Sequence, residues 1–224
     1  MNVTTFRFIH CSDLHIDSPF KGLSAIHPQW AGRLRQAPLQ SFLNIVDLAK
    51  REQVDAVIIA GDVFDSQNKS LQAQFKFRTG LQILSEHGIP VFIAHGNHDP
   101  LDSWSTTLDW PDGVTVFPGN RVQSVPVTRD GQTLAQIHGI SFPKRDVFEN
   151  LSLQFSRDQE KGFAIGVLHA NVGGHPDHDP YASCSVDDLI GRKMDYWALG
   201  HIHARDVLRG AHPAIVYSGN AQSR

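Results

Sequence analysis

Five short apolar runs in this chain each end within a few residues of side chains that bind metal ions. Asp13-Leu14-His15 follows Phe6-Arg7-Phe8-Ile9-His10, and Gly61-Asp62 follows Ala56-Val57-Ile58-Ile59-Ala60. Gly96-Asn97-His98-Asp99 follows Val91-Phe92-Ile93-Ala94, His169 closes Phe163 to Leu168, and Gly200-His201-Ile202-His203 follows Tyr196-Trp197-Ala198-Leu199. Short apolar runs bounded by turn residues read as buried strands. Ligands at several strand ends can converge on one rim of a sheet, where α/β proteins place their sites. Asp13, His15, Asp62, Asn97, His169, His201 and His203 are more ligands than one ordinary ion needs, and they suit two.

Between the first three runs the pattern turns helical. Gln29 to Lys50 places Trp30, Leu34, Phe42, Ile45, Val46 and Leu48 at a helical period, interrupted at Pro38. Leu71 to His87 carries Leu71, Phe75, Leu81 and Leu84 and closes on Gly88 and Pro90. This is the β-α-β-α rhythm of an α/β fold. After residue 99 the segments shorten. Val114 to Phe117, Val122 to Val127 and Leu134 to Ile140 are β-rich and separated by Pro-Gly and Arg-Asp-Gly turns, which predicts a meander. Asp146 to Ser156 is expected as a short helix, and Val186 to Met194 as another. No repeat or linker divides the chain, so residues 1–224 are expected to form one domain of two sheets flanked by helices. Ile215 to Asn220 reads as one more strand and its turn. Ending at Arg224, just past that turn, the sequence is expected to be part of a longer protein.

The apolar fraction is 41% and the charged fraction 19%, a globular balance. No stretch approaches the ~20 apolar residues of a membrane helix, and the N-terminus lacks the layout of a signal peptide. Cys11 and Cys184 form no framework, which points to a reduced, cytoplasmic compartment. Net charge is −3 without a block of like charge, so no basic arm for nucleic acid is present. Any nucleic-acid role must rest on metals, local patches or a partner.

Asp13 and His15 are two apart, as are His201 and His203, which in extended chain puts each pair on one face. Carboxylate, imidazole and amide oxygen together suit Mn²⁺ first, with Fe²⁺ or Zn²⁺ as alternatives. Two ions ~3.5–4 Å apart can bind both sides of a phosphoryl group and make hydroxide near neutral pH. Asp62, beside the permissive Gly61, is the carboxylate best placed to bridge them.

In that order, Asp13-x-His15, Gly61-Asp62, Gly96-Asn97-His98-Asp99, His169 and Gly200-His201-x-His203 resemble the five motifs of the calcineurin-like metallophosphoesterases. Their joint occurrence is specific, although each alone is weak. The resemblance implies a four-layer sandwich, two central mixed sheets flanked by helices. It also implies one metal on Asp13, His15, Asp62 and His203 and a second on Asp62, Asn97, His169 and His201. His98 would contact the substrate phosphate and protonate the leaving oxygen, and Asp99 would orient it. The Ser/Thr phosphatase branch carries an arginine where this chain has Ser66. His10 to His15, Gly61-Asp62-Val63-Phe64-Asp65 and Tyr217-Ser218-Gly219-Asn220 instead resemble the DNA-repair exonucleases of the SbcD type. Ser18-Pro19-Phe20-Lys21-Gly22 and His178 to Ala182 narrow the resemblance to its YhaO-like branch.

What the resemblance implies is a two-metal phosphodiesterase acting on DNA as an exonuclease subunit in repair. A partner ATPase subunit, a second copy of the chain and a capping region beyond Arg224 follow from the same likeness. The alternatives are a phosphoesterase for a nucleotide or other small ester, and a non-catalytic scaffold. The remaining histidines have plainer readings. His27, His87 and His212 are expected to be structural or exposed, His10 and His95 to sit in the core or behind the ligands, and His175 and His178 to lie on a surface loop. Cys11 is expected to be a small buried apolar residue.

Overall fold

Two sheets pack face to face in this computed structural model, which describes residues 5–18, 28–65, 70–103, 109–157 and 162–222. The first sheet has four strands in the order β1 (Phe8–Cys11), β2 (Ala56–Ala60), β3 (Val91–Ala94) and β4 (Val114–Val116). All its pairings are parallel. The second has six, β5 (Gln123–Arg129), β6 (Gln132–Gly139), β7 (Phe163–His169), β8 (Tyr196–Gly200), β10 (Ala214–Tyr217) and β9 (Asp206–Arg209). Here β6, β7, β8 and β10 run parallel while β5 and β9 close the edges antiparallel. The expected sandwich is present, with mixed pairing confined to the larger sheet.

Parallel strands buried on both faces read as unbroken apolar runs, and β2 shows why. Ala56, Ile58 and Ala60 turn inward against Ile137, Ile165, Val167 and Ala198 of the second sheet. Val57 and Ile59 turn outward to two helices, α1 (Pro28–Arg51) and α2 (Leu71–Glu86), through Phe42, Val46, Phe77 and Leu81. Side-chain alternation along one strand thus builds two of the cores. The outer face of the second sheet is covered more thinly, by α3 (Val186–Gly191), a 3₁₀ turn at Leu151–Gln154 and loops around Trp197 and Tyr217. Trp197 Nε1 donates to Leu189 O of α3 at 3.1 Å.

Several expectations change at this level. The helix continues through Pro38 instead of breaking there, because its apolar face is held on the first sheet. The meander is not one unit: β4 extends the first sheet, while β5 and β6 form a hairpin in the second. The helix expected over Asp146 to Ser156 shrinks to the 3₁₀ turn, started by Asn150 accepting from Ser152 N–H at 3.1 Å. The Val186 to Met194 helix stops at Gly191. His27, Ser66, Pro19 to Gly22, the Trp30 side chain and Arg224 lie outside the described residues. No helix among the described residues is long and apolar enough to cross a membrane.

Candidate metal centre

The C-terminal ends of β1, β2, β3, β7 and β8 meet on one rim; His169 closes β7 and the loops leaving the other four strands carry the remaining expected ligands. Beyond β1 and β2 the two chains remain paired, with Asp13 N–H on Gly61 O and His15 N–H on Asp62 O, both 3.0 Å. Asp13, His15, Asp62 and His201 all have positive φ, 52°, 44°, 53° and 98°. Non-glycine residues rarely stay in that region, and they do so where surrounding structure over-determines them. The extended-chain argument for Asp13 and His15 therefore fails: both side chains reach the rim through left-handed backbone. Gly96 has a different reason to be glycine. A Cβ there would collide with the Asp62 carboxylate and the His169 ring.

The ligand atoms converge. His15 Nε2 and His203 Nε2 lie 3.1 Å apart, with Asp13 Oδ1 3.9 Å from His203 Nε2 and Asp62 Oδ2 3.9 Å from His15 Nε2. His169 Nε2 faces Asn97 Oδ1 at 3.0 Å and Asp62 Oδ2 at 3.4 Å. Three groups of donors emerge among the described residues, Asp13–His15–His203, Asp13–Asp62–His169 and His15–Asp65–His98, each with its ligand atoms within 4.8 Å of one another. His201 lies beside these groups, its ring 5.2 Å from that of His169. Its Nε2 donates to Asp179 O at 2.9 Å, which leaves Nδ1 with the lone pair. His169 is likewise fixed, because Nδ1 donates to Ala60 O at 3.0 Å and turns Nε2 to the centre. Such outer hydrogen bonds are how metal-binding imidazoles are oriented.

The charges ask for cations. Burial, opposed by His169 and reinforced by Asp62, pushes the Asp13 carboxyl up to about 7. Burial would raise Asp62 too, but the charge of His169 beside it outweighs burial and holds it well below the usual carboxylate range. For His169 burial is again overcome, here by Asp62, and the imidazole is raised to about 9. His169 Nε2 faces two acceptor oxygens there, Asn97 Oδ1 and Asp62 Oδ2. A divalent cation suits the same place, since nitrogen and oxygen lone pairs all point there. His201 goes the other way, lowered to about 3 by burial and by His169. It is neutral, the form that ligates a metal.

His98 lies beside this centre, its ring 5.0 Å from that of His15. The carboxylate near it is not the expected one. Asp65 Oδ1 is 3.5 Å from His98 Nδ1. Asp99, by contrast, is fully buried, accepts from Gly96 N–H and Val63 N–H at 2.9 Å each, and faces His95 Nδ1 at 3.1 Å. Asp99 thus braces the loop that carries Asn97 and His98. His10 and His95 lie behind the ligands, as expected, and Cys11 is a buried thiol whose Sγ sits 3.6 Å from Ile58 O. His178 departs from the surface-loop expectation. With Asp62, Asn97, His98, His201 and His203 it lines a cleft of about 430 Å³.

Three supports escaped the sequence reading. Ser12 Oγ donates to Asp13 Oδ2 at 2.5 Å and meets Ser218 Oγ at 2.8 Å, so the turn after β10 braces the Asp13 carboxylate. Tyr217 O–H donates to Ala170 O at 2.7 Å and accepts from Val172 N–H at 2.8 Å, which pins the chain beyond His169. Asn171 does the same for the following loop. The signal for the first two was the Tyr217-Ser218-Gly219-Asn220 motif, and for the third an amide two residues after a ligand.

The calcineurin-like phosphoesterase family matches residues 6–205. The chain is 40% identical over 222 residues to the metallophosphoesterase YhaO of Bacillus subtilis, covering 99% of this chain and 54% of that protein. It is 30% identical over 241 residues to the SbcD component of the SbcCD nuclease of Escherichia coli strain K12, covering 91% and 58%. To the DNA double-strand break repair protein Mre11 of Aeropyrum pernix it is 27% identical over 227 residues, covering 95% and 53%. The chain spans a little over half the length of these curated relatives. Among solved structures, a dimetal phosphatase from Danio rerio has a TM-score of 0.55 at 14% identity, covering 96% of this chain and 88% of that one. A Thermus thermophilus protein has a TM-score of 0.56 at 13% identity, covering 97% and 91%. At such identities the structural likeness concerns the fold alone.

Proposed function

The chain belongs to the calcineurin-like phosphoesterase family, and from that premise we propose that it is the catalytic domain of a two-metal phosphodiesterase acting on DNA as an exonuclease subunit. The observation that carries this reading is the convergence of Asp13, His15, Asp62, Asn97, His169, His201 and His203 on one rim, with His98 beside them. Degenerate relatives typically lose a ligand or the acid histidine, and all the residues proposed for those roles are present. Asp13, His15, Asp62 and His203 would hold one ion, and Asp62, Asn97, His169 and His201 the other, Mn²⁺ being the first choice.

A bound pair of divalent cations supplies charge neutralisation at the phosphoryl oxygens and a nucleophile at neutral pH. The chain's own residues do the rest. His98 donates a proton to the departing sugar oxygen, and the Asp65 carboxylate, 3.5 Å from its Nδ1, orients the ring. Phe142, buried in the core, packs edge-on against the His169 ring at 5.7 Å and supports it from behind. DNA as substrate and repair as the setting are supported by the nuclease and break-repair names of the relatives. A partner ATPase, a second copy of the chain and a cytoplasmic site of action belong to the same reading.

A small phosphoester as substrate is favoured by one feature, a cleft bordered by the exposed carboxylates of Asp177 and Asp179. Like charge there repels a long polyanion. Turnover of linear duplex DNA, single-stranded DNA and an aryl phosphodiester, each with Mn²⁺, separates the readings. Digestion of DNA from its ends supports the nuclease. Cleavage of the aryl ester alone supports the small-ester enzyme. Inactivity on all three, with both metals bound, supports a scaffold.

A further inference from the structure

Residues 171–184 form a closed loop over the cleft. Its base is zipped around the Val172–Cys184 bridge. Asn171 N–H donates to Tyr181 O at 3.0 Å, Gly173 N–H to Cys184 O at 2.9 Å and Cys184 N–H to Asn171 O at 3.3 Å. Inside the loop the Asn171 amide is fully used. Its Oδ1 accepts from His175 N–H at 2.8 Å, and its Nδ2 lies 3.1 to 3.2 Å from the carbonyls of His175, His178 and Asp179. The far side is tied down where His201 Nε2 donates to Asp179 O. A loop fastened at its base, its middle and its contact with a proposed ligand can hold a side chain in one place.

The side chain so held is His178. Its ring lies 5.4 Å from that of His201 and 5.7 Å from that of His203. The His15 ring is 5.0 Å from both His203 and His98. His98 and His178 therefore flank the His15–His203 pair, and both line the cleft. Packing against two imidazoles would be served by any apolar ring. An imidazole adds an N–H at the surface of a cleft where phosphoryl oxygens would lie. Resting on the phosphoesterase reading, we infer that His178 is a substrate-binding residue that donates to a non-bridging phosphoryl oxygen, from the side opposite His98. Asn171 is the positioning residue that holds it there.

The test is a calorimetric titration of the Mn²⁺-loaded chain with inorganic phosphate, with Mn²⁺ content measured in parallel. His178→Ala should weaken phosphate about tenfold, equal to about 1.4 kcal/mol, with Mn²⁺ content unchanged. His178→Gln keeps a side-chain N–H and should recover part of the loss. Asn171→Ala should reproduce the defect with Mn²⁺ still bound. On an aryl phosphodiester, His178→Ala should raise KM about tenfold and leave kcat within about threefold, the pattern of a lost binding contact. Unchanged phosphate affinity in His178→Ala overturns the inference. So does loss of Mn²⁺ in step with phosphate, which would make His178 a support for the ligands, and so does a loaded wild type that binds no phosphate. A wild type that binds phosphate but cleaves no ester sinks the phosphoesterase reading, while the titration still decides the role of His178.

Discussion

The four-stranded and six-stranded sheets contribute different chemistry to the same rim. The first supplies both carboxylates and the amide, Asp13, Asp62 and Asn97, together with His15 and the Asp65–His98 pair. The second supplies imidazoles only: His169, His201 and His203, with His178 beside them. Neither half holds a complete ligand set. The centre exists because Ile58 and Phe92 of one sheet pack on Ile137, Ile165 and Val167 of the other, through a core that admits little adjustment. Metal binding in such a protein is a readout of how the two sheets dock.

Asp62 joins the halves, so its loss should be the most damaging. Its Oδ2 lies 3.9 Å from His15 and 3.4 Å from His169, while Oδ1 accepts from His98 N–H at 2.9 Å. Asp62→Asn should lower metal affinity at both positions and reduce turnover by about 10³-fold or more, the scale of losing preorganised charge at a reacting centre. Metal analysis alongside turnover checks this. Two ions retained at wild-type affinity would break the comparison, because Asp62 would then not be what joins the two halves.

Substitutions confined to the first half should separate chemistry from metal. His98→Ala should cut turnover by ~10²–10⁴-fold, the range of a general acid, with both ions in place. Asp65→Asn should cost less, roughly 10–10²-fold, the usual effect of removing an orienting partner, again without metal loss. If Asp99→Asn affected turnover through His98 while Asp65→Asn did nothing, the orienting role would return to Asp99. Loss of metal from either His98→Ala or Asp65→Asn would make the His15–Asp65–His98 cluster part of the ligand set.

The two halves also differed in what their sequences disclosed. Strands β1 to β3 and helices α1 and α2 could be read locally, because β2 and β3 are buried on both faces, β1 is half-buried at the edge, and each helix shows one apolar face. Val114 to Val116 could not be assigned to a sheet, since its β propensity is the same whichever edge receives it. Only the packing of Phe117 between the sheets, stacked 6.2 Å from Phe92, settles the matter. At the site, the candidate ligands were legible because they follow strands whose C-terminal ends meet on one rim. Partners set by loop geometry were not. Asp99 is next to His98 in sequence yet turns to His95 and the backbone, while Asp65 arrives from another loop.

The smallest effect concerns the seam itself. His10 on β1 reaches across to the second sheet, where its Nε2 donates to Leu199 O and its Nδ1 accepts from Tyr196 O–H, both at 3.1 Å. Burial, only partly offset by the Leu199 carbonyl, lowers this imidazole from 6.5 to about 4. The unfolded chain therefore binds a proton between those values that the folded chain refuses. The resulting stability is present above pH 6.5 and is lost as pH falls toward 4, at no more than about 1.4 kcal/mol per pH unit for the one proton. His10→Gln keeps a donor for Leu199 and an acceptor for Tyr196 but does not titrate. Chemical denaturation of the metal-stripped protein across this window should show a shallower fall for the variant, by up to one proton's worth of slope. Identical slopes would mean that His10 carries no acid sensitivity and that the sheets are held together by the apolar core alone.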